Sequence, residues 1–258
     1  MRKSRLCLLL PFMFALSAFG QKAEPGPFEK AMALGDSLEK KWDHAGSAAA
    51  YLKALEINPA SYEAAWKAGD QTTEYANKLP AKDKAGKEAE FEKARKLCEK
   101  AILIDRKGYE GHFRLAVAYG RLALFRGGKE KINLAKKVKA EADTAIALNP
   151  NADLAWHVIG RWHQDLANLN WALRAVAKII FGGVPPGSND EAVAAFQKAI
   201  SIDPNHIEHY LELARTYKIM GKKDLMRAPL QKAIDLPNVE EDDPEFKAEA
   251  KEMLARLK

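Results

Sequence analysis

Six histidines are the first place to look for chemistry, since imidazole is the side chain that serves as acid, base or metal ligand near neutral pH. His206 and His209 stand three apart, one helical turn, so their rings share a helix face and could share a metal ion. No cysteine and no third histidine lies close to them in the sequence. The expectation is therefore two solvent-facing histidines at a helix start, with no metal. His157 and His163 are six apart, fall on different helix faces and form no pair. The chain has no Gly-x-Ser-x-Gly, His-Glu-x-x-His, Cys-x-x-Cys or phosphate-loop motif. This points away from an enzyme and from any cofactor, and towards a protein that binds.

Six residues are the candidates for binding: the aromatics Trp66 and Phe113 and the cations Arg121, Arg161, Arg215 and Lys218. Arginine pairs with carboxylate or phosphate in forked geometry, while aromatic rings supply apolar contact. Whether these six share a surface depends on the elements that carry them, and those elements repeat.

The repeat is a phrase. Ala54-Leu-Glu-Ile-Asn-Pro59 returns as Ala101-Ile-Leu-Ile-Asp-Arg106, Ala145-Ile-Ala-Leu-Asn-Pro150, Ala199-Ile-Ser-Ile-Asp-Pro204 and, one residue shorter, Ala233-Ile-Asp-Leu-Pro237. Each copy closes a helix-period apolar run with Asn or Asp and, usually, a proline that cannot donate the next helical hydrogen bond. Fifteen residues after each of the first four opening alanines stands a small residue, Gly69, Ala116, Gly160 and Ala214, with Gly35 preceding the series. Trp156-x2-Ile159-Gly160-x2-His163, followed by Ala192-x3-Phe196-x2-Ala199 and Pro204, resembles the tetratricopeptide (TPR) pattern, a pair of antiparallel helices A and B. The expected fold is all-α, a TPR-like right-handed α-solenoid of about five helix pairs. From small residue to closing alanine the count is 19 in the first and last units, but 13, 10 and 20 residues longer in units 2, 3 and 4. The constant interval from B to the next A places the surplus in the A–B turns, all on one edge, with Leu79–Gly86 breaking the first helix of unit 2 from a long second one ending at Ile104, and Gly127-Gly128 preceding a lysine-rich helix through Leu148.

Residues 1–20 read as a cleaved signal peptide: a basic start, an apolar run from Leu6 to Phe19, and Ala18-x-Gly20 before Gln21. The run is short for a bilayer crossing, so the expected mature chain is exported, to a periplasm or the medium, without an integral membrane segment. Losing Arg2, Lys3 and Arg5 lowers the net charge from +6 to +3, which argues against a nucleic-acid partner. Cys7 leaves with the signal and Cys98 remains alone, so packing must hold the fold without a disulfide. The absence of an Asn-x-Ser/Thr site favours a bacterial envelope.

Residues 21–27 read as a flexible lead and 28–258 as one repeat domain, with units at 28–59, 60–106, 109–150, 152–204 and 206–237 and a capping helix at 245–258. Lysines 129, 131, 136, 137 and 139 alternate with the stripe Ile132, Ala135, Val138, Ala142 and Ala145, a solvated helix face. The fourth surplus, with Trp171, Val176, Ile180 and Phe181, reads as an apolar extra helix.

Gly160-Arg161-Trp162, Leu169-x-Trp171, Phe181-Gly182 with Pro185-Pro186, and Ala199-x3-Asp203-Pro204-Asn205 resemble the regulator of microtubule dynamics family of TPR-like proteins. The likeness runs from about Ala45 onward. It implies an all-helical binding scaffold; animal members associate with microtubules, and one tethers organelles and handles phospholipid. This sequence departs from them at its start, where a secretory signal replaces an organelle-targeting or membrane segment. In a TPR-like superhelix the A helices line a concave groove, which would run from acidic, through Trp66 and Phe113, to basic at Arg121, Arg161, Arg215 and Lys218. The expected ligand is a protein or peptide, bound in the groove or on the insertion edge; in the groove it would have an apolar middle and an anionic end, held by cations the fold does not need, and phospholipid is the second class. Met32, Asp36, Trp66 and Asp70 stand where peptide-tail clamps carry Lys and Asn, which disfavours that mode.

Overall fold

The computed structural model describes residues 24–169, 174, 175, 178, 183 and 185–257. The expected signal peptide lies outside them, as do Trp171, Val176, Ile180 and Phe181. Among the described residues there are eleven α-helices and no strand. They pair as α1 (Pro27–Glu39) with α2 (His44–Ile57), α3 (Tyr62–Lys78) with α4 (Lys84–Ile104), α5 (Tyr109–Ala123) with α6 (Gly128–Leu148), α7 (Asp153–Ala167) with α8 (Asn189–Ile202), and α9 (Ile207–Ile219) with α10 (Lys223–Asp235). The single helix α11 (Asp243–Ala255) follows, burying Ala250 and Met253 against the last pair. None of these helices is long and apolar enough to cross a membrane.

The repeated phrase is a turn with its own chemistry. Asn58, Asp105, Asn149 and Asp203 follow the last residues of α2, α4, α6 and α8, all in non-helical backbone and the last three extended. Each side chain then accepts a hydrogen bond from the amide two residues on, at Ala60, Lys107, Asn151 and Asn205, over 2.9–3.2 Å. A carboxylate or amide oxygen thus starts an Asx turn wherever the helix must stop. This is why Asp105 serves without a following proline. The alanines that open the five phrases are all fully buried.

Small residues let A and B close on each other. A Cβ on Gly35 would sit 2.4 Å from the Tyr51 ring, one on Gly69 2.6 Å from Cys98 Sγ, and one on Gly160 2.6 Å from the Phe196 ring. In each case the B helix of the same unit fills the space that the A helix leaves.

The long second helices expected in units 2 and 3, ending at Ile104 and Leu148, are present, and they take up the surplus that was expected to protrude in the A–B turns. The turns are short, 79–83 and 124–127, and the helices are long: 17 and 21 residues in unit 2, 15 and 21 in unit 3, against 13 and 14 in unit 1. The extra residues are helix formers with their own apolar stripe, so they continue the helices and build a further core layer. Ala76, Phe91, Leu122, Leu134 and Val138 pack there with Trp162 and Leu166 of α7. Arg126, in the second turn, reaches Glu88 and Glu92 of α4 and Glu130 of α6. From the fourth surplus, Arg174 donates to the carbonyls of Ala167 and Leu169 at the end of α7.

Helices α3, α5, α7 and α9 touch one another from unit to unit, and α9 touches α11, whereas the B helices are not in comparable contact with each other. The A helices therefore form the inner, concave side. Curvature brings the ends together: Glu241, in the segment before α11, meets His44 Nε2 at 3.0 Å and Lys78 Nζ at 2.8 Å, and Asp242 meets Lys78 at 2.6 Å.

His44 is almost fully buried, and both ring nitrogens face acceptors, Gln71 Oε1 at 2.9 Å and Glu241. Only the imidazolium can donate to both. Burial alone would lower its pKa, but these two bonds and the charges of Glu74 and Glu241 raise it above the ordinary 6.5, while Glu241 is lowered from 4.5. A raised histidine contributes stability below its unfolded pKa and loses it as pH rises through the folded value; a lowered carboxylate contributes above its unfolded pKa and loses it on acidification. The junction should be strongest between those two ordinary values. The melting-temperature gap between wild type and His44→Asn should shrink from about pH 6 to pH 8; a constant gap would show that the imidazolium has no part in it.

Candidate functional site

Counted from the small residue of each unit, two places define the inner face. The residue just after it is Asp36, Asp70, Val117, Arg161 and Arg215 in units 1 to 5; the residue two before it is Lys67, Arg114, Val158 and Glu212 in units 2 to 5. Each of the former meets the latter of the following unit. Lys67 Nζ is 2.7 Å from Asp36, Arg114 Nη1 2.6 Å from Asp70, and Arg161 Nη1 2.5 Å from Glu212. Val117 and Val158 occupy the same places in one apolar cluster. Arg215 continues the ladder to Glu249 of α11, with Nε 2.9 Å from the carboxylate. The inner face is thus cross-tied by one charged or apolar pair per step.

At the amino end the ladder is aromatic as well as ionic. Lys67 Nζ lies 5.4 and 5.8 Å from the centroids of Tyr51 and Trp66, and the Arg114 guanidinium 4.6 and 5.9 Å from those of Phe113 and Trp66. Trp66 and Phe113 therefore share Arg114 between them. Trp66 remains partly exposed, whereas Phe113 is buried and offers little surface. Burial pushes the Asp70 carboxyl up to about 6, with Arg114 pulling the other way.

The carboxyl end departs from the sequence reading. Arg161 and Arg215 both bind the carboxylate of Glu212, which is fully buried, and Gln164 Nε2 completes its shell at 3.3 Å while bonding Thr216 at 2.9 Å. A carboxylate of this chain stands where a ligand's anion was expected. Glu208, beside it, is raised by burial and by Glu212, with His206, Arg161 and Arg121 opposing. Arg121 and Lys218 are exposed and form no ion pair among the described residues. Of the six candidates, these two and Trp66 remain open to a partner.

The histidines are also corrected. His209 is fully buried rather than solvent-facing, its Nε2 3.0 Å from Asp153 Oδ2 and its Nδ1 2.9 Å from Nδ1 of His157. His157 pairs across the units, which spacing within one helix cannot reveal. Burial, together with the nearby His209 and Arg161, depresses its pKa well below 6.5. Glu212, Arg114 and Asp153 were not singled out in the sequence; the fixed offset from the small residues is the signal that finds the first two. Cys98 is enclosed against Gly69, and burial pushes its thiol up, the reverse of what a nucleophile requires.

Stacked pairs of this kind are found in known proteins. A family model described as regulator of microtubule dynamics protein 1-3 matches residues 30–258. Regulator of microtubule dynamics protein 1 of Bos taurus is 34% identical over 145 residues, 55% of this chain and 45% of that protein; its Mus musculus counterpart is 32% identical over 147 residues, 57% and 48%. The chain spans about half the length of these curated relatives. Among solved structures, a thermophilic TPR protein of Thermus thermophilus aligns with a TM-score of 0.63 at 16% identity over 88% of this chain and 99% of that one. Pseudomonas aeruginosa pilF aligns with a TM-score of 0.56 at 13% identity, over 90% and 88%. The architecture is that of a TPR-like α-solenoid, and with its match from residue 30 to 258 the chain belongs to the regulator of microtubule dynamics protein 1-3 family.

Proposed function

We propose that the chain is a non-enzymatic scaffold whose inner face docks a protein or peptide partner. The observation that carries this is the continuous concave surface made by touching A helices, whose helices also carry the partly exposed Trp66 and the exposed Arg121 and Lys218, both cations without an ion pair among the described residues. Exposed cations without an ion pair among the described residues are available for a partner's charge, and a partly exposed indole is a common anchor in protein interfaces. The relatives carry microtubule dynamics in their names, so polymerised tubulin is one protein to offer; the basic, apolar and small order of residues 1–20 supports a site in the cell envelope.

Placing a photo-reactive side chain at Trp66 or Arg121, with Leu103 of α4 as an exposed control, tests the reading. Polypeptide adducts at 66 and 121 but not at 103 are expected. Adducts only at 103, or of lipid mass, would overturn it. Replacing Arg121 and Lys218 by alanine should weaken partner binding about tenfold while leaving the melting temperature within the range of surface changes.

A further inference from the structure

Three imidazoles and a carboxylate crowd the junction of α7 and α9, between units 4 and 5. Asp153 and His157 lie four apart on α7; His206 and His209 lie three apart at the start of α9, so each pair turns one face towards the other. The His206 and His209 ring centroids are 4.2 Å apart, and those of His157 and His209 5.0 Å. One donor atom each from Asp153, His206 and His209 falls within 4.8 Å of the others. Half of the chain's six histidines meet here.

We propose that Asp153, His206 and His209 bind a divalent transition-metal ion of the zinc class, with His157 a positioning residue behind His209. Two imidazoles and one carboxylate are an ordinary donor set for such an ion, leaving a further coordination position open. The Asp153 and His209 donors, 3.0 Å apart, are already near the spacing of about 3.4 Å that adjacent ligands keep around tetrahedral zinc. His206 makes no hydrogen bond to another described residue, so its lone pair is available to a cation. Between His157 and His209 the two Nδ1 atoms, 2.9 Å apart, share a single proton. With Nε2 of His209 on the metal, its Nδ1–H donates to His157, the outer bond by which a ligating histidine is held in orientation. The amino ends of α7 and α9 oppose a cation, and Asp153, with Glu208 nearby at 3.7 Å from His157 Nε2, supplies the opposite charge. This site is independent of the partner reading: either can fail without the other.

The test uses tag-free full-length protein, stripped with a chelator and titrated with Zn²⁺ and Co²⁺. One equivalent of Co²⁺ should bind with the visible absorption of a four- or five-coordinate ion, and Zn²⁺ should displace it and raise the melting temperature. His206→Ala suits the test because that side chain makes no capping bond to the helix; it and Asp153→Asn should each lower affinity at least tenfold, and His157→Asn about 10–100-fold. His163→Ala, outside the cluster, should change nothing. No saturable binding, or an affinity unaffected by His206→Ala, would overturn the assignment.

Discussion

Replacing Arg161 and Arg215 together by alanine is expected to destabilise the protein by about 3–5 kcal/mol, the cost of leaving a buried carboxylate without its cations. Glu212 is fully buried, and apart from the Gln164 amide its charge is balanced by these two guanidiniums. At roughly 2–4 °C per kcal/mol for a chain of this size, the melting temperature should fall by about 6–20 °C. Each single change should cost less than half as much, because the other arginine stays; Arg215→Ala also releases Glu249 of α11. Adding Glu212→Gln to the double variant should recover most of the loss, since a neutral amide removes the uncompensated charge while keeping the shape. Cations held in reserve for a ligand would behave differently: their loss would leave the melting temperature alone, and the rescue would do nothing. Either result would remove the ladder as a source of stability.

What the sequence made legible was whatever repeats. The phrase ending in Asn or Asp marks the four Asx turns, and its alanine marks the closest packing, because both are local consequences of how a helix stops and how two helices touch. The breaks at Pro80 and Gly127-Gly128 made the long second helices of units 2 and 3 legible, but the surplus counted between landmarks was silent on whether it protrudes or continues a helix. The groove was read position by position, which leaves the pairing across units out of view. Asp36 and Lys67, or Arg161 and Glu212, are 31 and 51 residues apart. They meet only because each unit repeats the geometry of the one before. Applying the offset from the small residue to both partners at once would have exposed the ladder, whose polarity runs acid to base in units 1 to 3 and base to acid from unit 4. The histidine cluster has no such rule: Asp153 pairs with His209 through one particular junction, and no other unit repeats it.

Phe196→Ala is expected to cost about 3–5 kcal/mol, and its coupling to Gly160 distinguishes packing from mere burial. Phe196 is fully buried, and its ring occupies the volume a side chain on Gly160 would need, with ring carbons 2.6–2.8 Å from an added Cβ. Gly160→Ala alone should therefore destabilise by about 1–3 kcal/mol, the strain of overpacking exceeding the gain of roughly 1 kcal/mol that alanine brings to a helix interior. Gly120, in the corresponding helix of unit 3, is the control, since a Cβ there meets only Val138 Cγ2 at 3.9 Å. With no clash to offset the propensity gain, Gly120→Ala should stabilise by about 0.5–1 kcal/mol. Combining Gly160→Ala with Phe196→Leu should then cost less than the two changes added separately, because the smaller side chain leaves room for the methyl group. Additive losses, or a neutral Gly160→Ala, would mean that the A and B helices of unit 4 do not meet through this pair, and that the small residue at the fifteenth position sets helix propensity rather than the distance between helices.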